Sequence, residues 1–214
     1  MPREILTSTI LLMRKSISVI GAGGHSRAVV QLLMDEGFDV EGVYDDSFSG
    51  QDEKIVGVPL KGFVSLVPKG SECVLAIGDN YSRMEYFGSL SNVLKTTVSH
   101  ASAIVSSSAK LGQANLIMPR ALIGAEAIIG DNNIINSAAV IEHESVIGNH
   151  CHISVNATIS GRVKIGNSCM IGAGSFIRDY ISICDNVIIG AGAVVIKDIS
   201  EPGTYVGNPV KRIK

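Results

Sequence analysis

The chain has 214 residues, 46% of them hydrophobic and 18% charged, with a formal net charge of −2. No apolar run approaches the roughly 18 residues that a membrane span needs, and a near-neutral balance without a basic stripe argues against nucleic acid and for a small metabolite as the main partner. The four cysteines, Cys73, Cys151, Cys169 and Cys184, show no CxxC spacing and read as reduced packing residues, which points to the cytoplasm.

The opening MPREILTSTILLM holds a short apolar stretch, but Arg14 and Lys15 follow it without a small-residue cleavage site, so a signal peptide is not expected and Met13 is a candidate start. Residues 16–20 read as a short buried strand, Gly21-Ala22-Gly23-Gly24-His25-Ser26 as a turn, and 27–36 as a helix stopped by Gly37. A second strand over 40–44 ends in Asp45 and Asp46, and a third over 73–77 ends in Gly78-Asp79-Asn80. This alternation predicts a small parallel sheet with ligands at the carboxyl ends of its strands. Gly21-x-Gly23 resembles a dinucleotide fingerprint, but Ser26 occupies the third glycine position. Nucleotide binding of some kind is therefore favoured over NAD, with a purely structural glycine turn as the alternative. Backbone N–H groups at the turn and helix start suit a phosphate, and the acids after the second strand suit ribose or base.

From Val105 to Val195 an aliphatic residue returns at every sixth position, through Leu111, Ile117, Ile123, Ile129 and onward to Ile189, sixteen in register. A period of six suits a parallel β-helix of short strands joined by tight corners, with one aliphatic residue per side pointing inward. The fourth residue after each aliphatic one is usually small, as at Ala121, Ala139, Cys151 and Cys169. Glycine follows it at Gly112, Gly124, Gly130, Gly148, Gly166, Gly172 and Gly190, and asparagine recurs at Asn132, Asn133, Asn149, Asn167 and Asn186. Both types tolerate corner geometry. Three hexads per coil give roughly five coils and a prism about 25 Å long. Handedness does not follow from the spacing.

The chemistry-bearing spot on the prism is Ile141-Glu142-His143-Glu144, with His150 and His152 close behind. His143, two residues past the inward Ile141, falls on or near the outer face, where a neighbouring subunit could complete a site. Glu144 beside it is placed to orient the ring and stabilise its protonated form, as a general base requires. The bland reading is a solvated surface histidine beside unrelated acids. A metal held by His143, His150 and His152 is the third reading, and their separations of seven and two count against it.

These residues resemble the hexapeptide-repeat acyltransferases, and within them the nucleotide-sugar acetyltransferases with a Rossmann-like amino-terminal domain. The similarity lies in Gly21-Ala22-Gly23-Gly24-His25-Ser26, Tyr44-Asp45-Asp46, Ala76-Ile77-Gly78-Asp79-Asn80, His100-Ala101-Ser102-Ala103, Asn136 to Glu144, and Val206 to Arg212. It is nearest to the UDP-4-amino-sugar N-acetyltransferases of bacillosamine biosynthesis, with sialic-acid O-acetyltransferases more distant. The resemblance implies an α/β Rossmann-like domain over 1–98 that binds the nucleotide sugar, and a left-handed parallel β-helix over 99–214. It further implies a cytoplasmic homotrimer with active sites between subunits, without nucleic acid or membrane insertion.

Carried over, His143 is the general base and Glu144 raises its basicity. Gly23, Gly24, His25, Asp45, Asp46, Gly78, Asn80, Arg83 and Asn136 match the nucleotide-sugar contacts. His152, Gly161, Gly172, Ala173, Gly190, Ala191 and Lys211 match the acetyl-CoA contacts, with Arg212 beside Lys211 near the CoA phosphates. The implied reaction is direct transfer from acetyl-CoA to the 4-amino group of a UDP-linked 4-amino-4,6-dideoxy sugar, without a metal. O-acetylation of a sugar or sialic acid is the alternative.

Overall fold

The computed structural model describes residues 15–50 and 52–214. The apolar opening and the candidate start Met13 lie outside the described residues. The amino-terminal unit is a sheet of β1 (Ser16–Ile20), β2 (Asp39–Tyr44), β3 (Lys54–Ile55), β4 (Val58–Gly62) and β5 (Cys73–Leu75), with α1 (Gly24–Asp35) and α2 (Asn80–Ser89). The strand order is β3-β4-β2-β1-β5. β1 pairs in parallel with both β2 and β5, and β4 adds in parallel to β2. β1 is thus paired along both edges, and the burial of consecutive residues Ile17, Ser18, Val19 and Ile20 shows that both of its faces are covered.

Two boundaries differ from the sequence expectation by more than one residue. α1 begins at Gly24, three residues before 27, with Gly23 as an N-cap that lacks a side chain, and the Ser26 Oγ donates to the Gly23 carbonyl at 2.6 Å within the first turn. The reversal that the glycine run provides is confined to Gly21, where φ is +106° and a Cβ would stand 2.9 Å from the Ile77 side chain. Gly37 ends α1 as expected, at φ +82°. The third strand stops at Leu75 rather than 77. The antiparallel β3–β4 hairpin is an addition. It turns on Val56 and Gly57, both at positive φ (50° and 82°), as a two-residue hairpin loop demands.

From Val98 onward the chain is a left-handed parallel β-helix. Two-residue strands stack at a register of 18, Leu122 on Val140 on Thr158 on Phe176, giving sheets of six, five and eight strands. The hexad aliphatics point inward: Ile117, Ile135, Ile141, Ile153, Ile159, Ile171 and Ile177 are fully buried, as are Ala139, Cys151, Ala157 and Cys169 in the small positions. Cys73, Cys151, Cys169 and Cys184 are free thiols.

Corners and glycines divide the labour differently from what composition suggests. Positive φ falls mostly on non-glycine residues in three columns spaced by 18: Asn132, His150 and Asn186; Ala138 and Asn156; Glu126, Glu144, Arg162 and Tyr180. Of the asparagines expected at corners, Asn132 and Asn186 take positive φ and Asn133, Asn149 and Asn167 do not. The hexad glycines instead allow close stacking, since a Cβ on Gly148 would lie 2.7 Å from the Gly166 carbonyl of the next coil. Beside them runs a ladder in which the Asp131 and Asn149 N–H groups donate to the side-chain oxygens of Asn149 and Asn167, each at 2.8 Å. Backbone polar groups at these tight corners are thereby satisfied. No helix among the described residues is long and apolar enough to cross a membrane.

Candidate active site

The carboxyl ends of β1, β2 and β5 open toward the β-helix, and the junction is built around one arginine. Arg83 on α2 is 1% exposed and spends all five N–H donors. Nε donates to the Asn132 carbonyl, Nη1 to those of Ile77 and Gly78, and Nη2 to Asn80 Oδ1 and the His150 and Cys151 carbonyls, at 2.8 to 3.3 Å. Asn80 in turn donates to the Cys169 carbonyl at 3.0 Å. The sequence expectation places Arg83 and Asn80 among the nucleotide-sugar contacts, and Asn80 lines a cleft together with Gly78 and His152. Their side chains are consumed in fastening the sheet domain to the coils, and a guanidinium without a free donor has nothing to offer a phosphate.

Next to this clamp, His152 Nδ1 pairs with the Gly78 carbonyl at 3.2 Å and Nε2 with Asn136 Nδ2 at 3.0 Å. A carbonyl only accepts, so Nδ1 carries the proton and Nε2 accepts from the amide. Asn136 Oδ1 takes the Ser137 N–H at 2.8 Å. The His25 ring lies 5.7 Å from that of His152. Burial lowers the pKa of both histidines to about 4; His152 and then Arg83 add to the effect at His25, whereas at His152 the Gly78 bond opposes it. Both are neutral at physiological pH; His152 is hydrogen-bonded through both ring nitrogens, whereas His25 Nε2 is buried without a partner.

The two acids after β2 stand at a pocket of about 210 Å³ lined by Gly21, Ile77, Ser82 and Tyr86. Asp45 accepts the Ala22 N–H at 2.6 Å and the Ser47 N–H at 2.8 Å, clipping the glycine turn to the end of β2. Burial raises its pKa, but the hydrogen bonds from Ser47 and Ala22 outweigh it and hold the carboxylate below its usual value. Asp46 accepts from Val64 N–H and, at 2.6 Å, from the Tyr86 hydroxyl, which pushes the phenol up to about 12. Gly23 and Gly24 open onto free space, where an added Cβ meets nothing within 4 Å. Tyr86 and Ser82, four apart on one face of α2, escaped the sequence reading; helical spacing is the signal that finds them. A larger cleft of about 560 Å³ opens between Gly78, Tyr81 and Met84 on one side and His152, Met170 and Ile188 on the other.

His143 lies at a different corner, about half exposed. Its Nδ1 bonds Glu144 Oε2 at 3.0 Å, and the same oxygen receives Arg162 Nη2 at 2.7 Å. The hydrogen bond from His143, then that from Arg162, hold the Glu144 carboxyl below its usual value. With Nδ1 committed to a carboxylate, Nε2 is left as the free base. Three histidines that a metal reading would join thus stand apart: His143 on Glu144, His150 on Asn132 and Phe87, His152 on Gly78 and Asn136. Among the described residues no three His, Cys, Asp or Glu side chains gather into a metal site.

Residues 16–90 match the family described as PglD N-terminal domain, and 144–179 and 162–197 match bacterial transferase hexapeptide repeats. The acetyltransferase domain of PglB from Neisseria gonorrhoeae is 30% identical, over 94% of this chain and 100% of that one, with a TM-score of 0.84. PerB from Caulobacter crescentus, solved with CoA and GDP-perosamine, is also 30% identical over 93% of this chain and 97% of its own, with a TM-score of 0.86. The chain is a hexapeptide-repeat acyltransferase related to the nucleotide-sugar N-acetyltransferases. An uncharacterized protein of Acanthamoeba polyphaga mimivirus is 35% identical over 103 residues, 47% of this chain but only 21% of that protein.

In this hexapeptide-repeat acyltransferase the remaining expected residues fall on two corners. Gly172, Ala173, Gly190 and Ala191 stack below Asn136 at one corner, together with Gly174 and Gly192, where a Cβ would meet nothing. Gly161 stands instead at the His143 corner, directly against the imidazole: a Cβ there would lie 2.6 Å from both Cε1 and Nε2. Lys211 is exposed on the last strand, while Arg212 is tied to Glu201 at 2.6 Å.

Proposed function

We propose that this enzyme transfers the acetyl group of acetyl-CoA to the 4-amino group of a UDP-linked 4-amino-4,6-dideoxy sugar, as in bacillosamine assembly, and works as a trimer in the cytoplasm. The observation that carries the reaction is the His143–Glu144 pair, with Nδ1 bonded and Nε2 free, in a chain similar over nearly all its length to PerB, which binds CoA and GDP-perosamine. Two further structures of that enzyme, 29% identical to this chain, carry a single histidine replaced by asparagine or alanine.

His143 Nε2 takes a proton from the sugar amine as its lone pair forms the C–N bond to the thioester carbonyl. The C–S bond then breaks, and the departing CoA sulfur takes the proton from the imidazolium. Glu144 stabilises that imidazolium while it lasts. The groups at the ends of β1 and β2 supply the nucleotide site: open backbone at Gly23 and Gly24 for the pyrophosphate, and acceptors on Asp45 and Asp46 for ribose or base. Gly78, His25 and Asn136 adjoin it for the sugar. The small-residue corner at Gly172, Ala173, Gly190 and Ala191 leaves room for the pantetheine arm, next to His152 and with Lys211 toward the phosphates.

Asn136 and His143 stand at opposite ends of one prism face, flanking the strand Val140–Ile141. We infer that a substrate touched by both lies between two copies. The outer column of that face, with Ile104 64% and Phe176 39% exposed beside Leu122, Val140 and Val194, supports packing against another copy. In a closed three-fold ring each copy meets its two neighbours through two different patches.

The test is thiol release from acetyl-CoA with UDP-, GDP- and dTDP-linked 4-amino-4,6-dideoxy sugars and sialic acid as acceptors, for wild type and His143→Ala. Turnover on the UDP sugar that collapses in the variant is the expected result. Preference for another nucleotide corrects the base, turnover on sialic acid alone moves the reading to O-acetylation, and none on any acceptor rejects it.

A further inference from the structure

The corner that carries His143 is a vertical ladder. Coils repeat every 18 residues, so Glu126, Glu144, Arg162 and Tyr180 stack at one corner, all at φ near 60°. Arg162 Nη2 donates to Glu144 Oε2 at 2.7 Å, Nη1 donates to the Tyr180 hydroxyl at 2.6 Å, and the guanidinium stands over the Tyr180 ring at 5.3 Å from its centroid. The backbone ties the same groups together, since the Arg162 N–H donates to the His143 carbonyl at 2.9 Å.

We propose that Arg162, held in place by Tyr180, is a positioning residue that locks Glu144 and through it keeps the His143 imidazole in its Nδ1–H form with Nε2 free. The proposal rests on the acetyl-transfer reading of His143. A half-exposed histidine and glutamate that meet through one bond contribute little and sample many rotamers. Here the carboxylate oxygen that orients the ring is clamped from below by a charge-assisted bond. The planar guanidinium is in turn fixed by a second bond and a ring face, which a lysine cannot reproduce.

Arg162 also sets the electrostatics. Its positive charge neutralises part of the Glu144 charge, so Glu144 orients the imidazole without over-stabilising the imidazolium and impeding proton return to the leaving thiolate. The other charged groups around His143 are Glu142, whose Oε2 accepts the His143 N–H at 3.3 Å, Glu126 one coil above, and Arg178 and Asp179 one coil below Gly161. None of them is bonded to the Glu144 carboxylate, so the effect of Arg162 is separable.

The variants Arg162→Gln, Arg162→Lys and Glu144→Gln distinguish positioning from a merely structural role. Two unit charges about 6 Å apart in water shift each other by roughly half a pH unit. Arg162→Gln is therefore expected to lower kcat about ten-fold, leave both KM values within two-fold, and move the acid limb of the kcat/KM profile up by roughly half a unit. Glu144→Gln moves that limb down. Arg162→Lys keeps the charge and loses the fork, so the limb stays while kcat falls. Nitrogen NMR of the His143 ring is the readout independent of turnover: a single Nδ1–H tautomer in wild type and a mixture in Arg162→Gln. An unmoved limb with an unchanged tautomer in Arg162→Gln overturns the proposal. If wild type acetylates no acceptor, the acetyl-transfer reading fails, and the tautomer comparison still decides whether Arg162 positions His143.

Discussion

Gly161→Ala isolates the placement of the base from everything else in the site. An alanine Cβ at this position would lie 2.6 Å from His143 Cε1 and Nε2. Ordinary carbon contacts are about 3.5 Å or more, so the ring must withdraw by about 1 Å. The obstacle is the far end of a half-exposed side chain, which moves without disturbing the coil; the Tyr180 N–H to Gly161 carbonyl and Arg162 N–H to His143 carbonyl bonds, at 3.2 and 2.9 Å, are untouched. Although Gly161 is buried, the clash is relieved by one exposed ring changing its rotamer, so stability should change by about 1 kcal/mol or less. Activity should not be spared, because a 1 Å misplacement of a reacting group lowers rates roughly 10²-fold, about 2.7 kcal/mol of barrier. Thiol release at saturating acetyl-CoA and acceptor, together with thermal unfolding, reads both quantities. A variant that raises KM for acetyl-CoA with kcat intact would refute the reasoning, since it would make Gly161 a wall of the coenzyme groove and not the seat of the base.

Gly172→Ala is the contrast: its Cβ would meet backbone of the next coil, 2.5 Å from the Ile189 carbonyl oxygen and 2.6 Å from the Ala191 nitrogen, so denaturant unfolding should show a loss of roughly 1–3 kcal/mol. Arg83→Met leaves the carbonyls of Ile77, Asn132 and His150 without their donor, while that of Cys151 keeps the Ile134 N–H; at about 1–3 kcal/mol for each buried group left unpaired, a loss above roughly 3 kcal/mol is expected, and one below 1 would show that the clamp is dispensable. For His152, lowered from 6.5 to about 4, the unfolded chain binds the extra proton between those values, so its contribution is fully present above pH 6.5 and lost as pH falls toward 4, roughly 3 kcal/mol in all. His152→Asn should flatten that part of the stability curve, and an unchanged slope would count against a buried neutral imidazole.

What the sequence made legible follows from the range of each interaction. The inward aliphatic at every sixth position is a local consequence of strand length and corner, so Ile117 through Val195 announce the prism without a structure. The β3–β4 hairpin was invisible because its turn places Val56, a β-branched residue, at φ 50°, where a reading by turn types expects asparagine or glycine. The clamp made by Arg83 and Asn80 was invisible for a different reason. They belong to the turn and helix after β5, where ligand contacts are expected, yet their partners Asn132, His150, Cys151 and Cys169 are far along the chain in another domain.

The His143 corner shows where periodicity carries further than motif. Adjacency alone pairs His143 with Glu144, and nothing local connects either with Arg162 or Tyr180. Once three hexads are taken as one coil, adding 18 to 144 gives 162 and adding 18 again gives 180, the residues that the structure stacks. In a β-helix every surface residue has neighbours at plus and minus 18, so a site is a column and not a segment. Function at such a corner is tuned by substituting the residue one coil away, which leaves the base, its carboxylate and the inward hexad unchanged. That separation lets one prism keep His143 and Glu144 fixed while residues such as Arg162 adjust how firmly the base is held and at which pH it works.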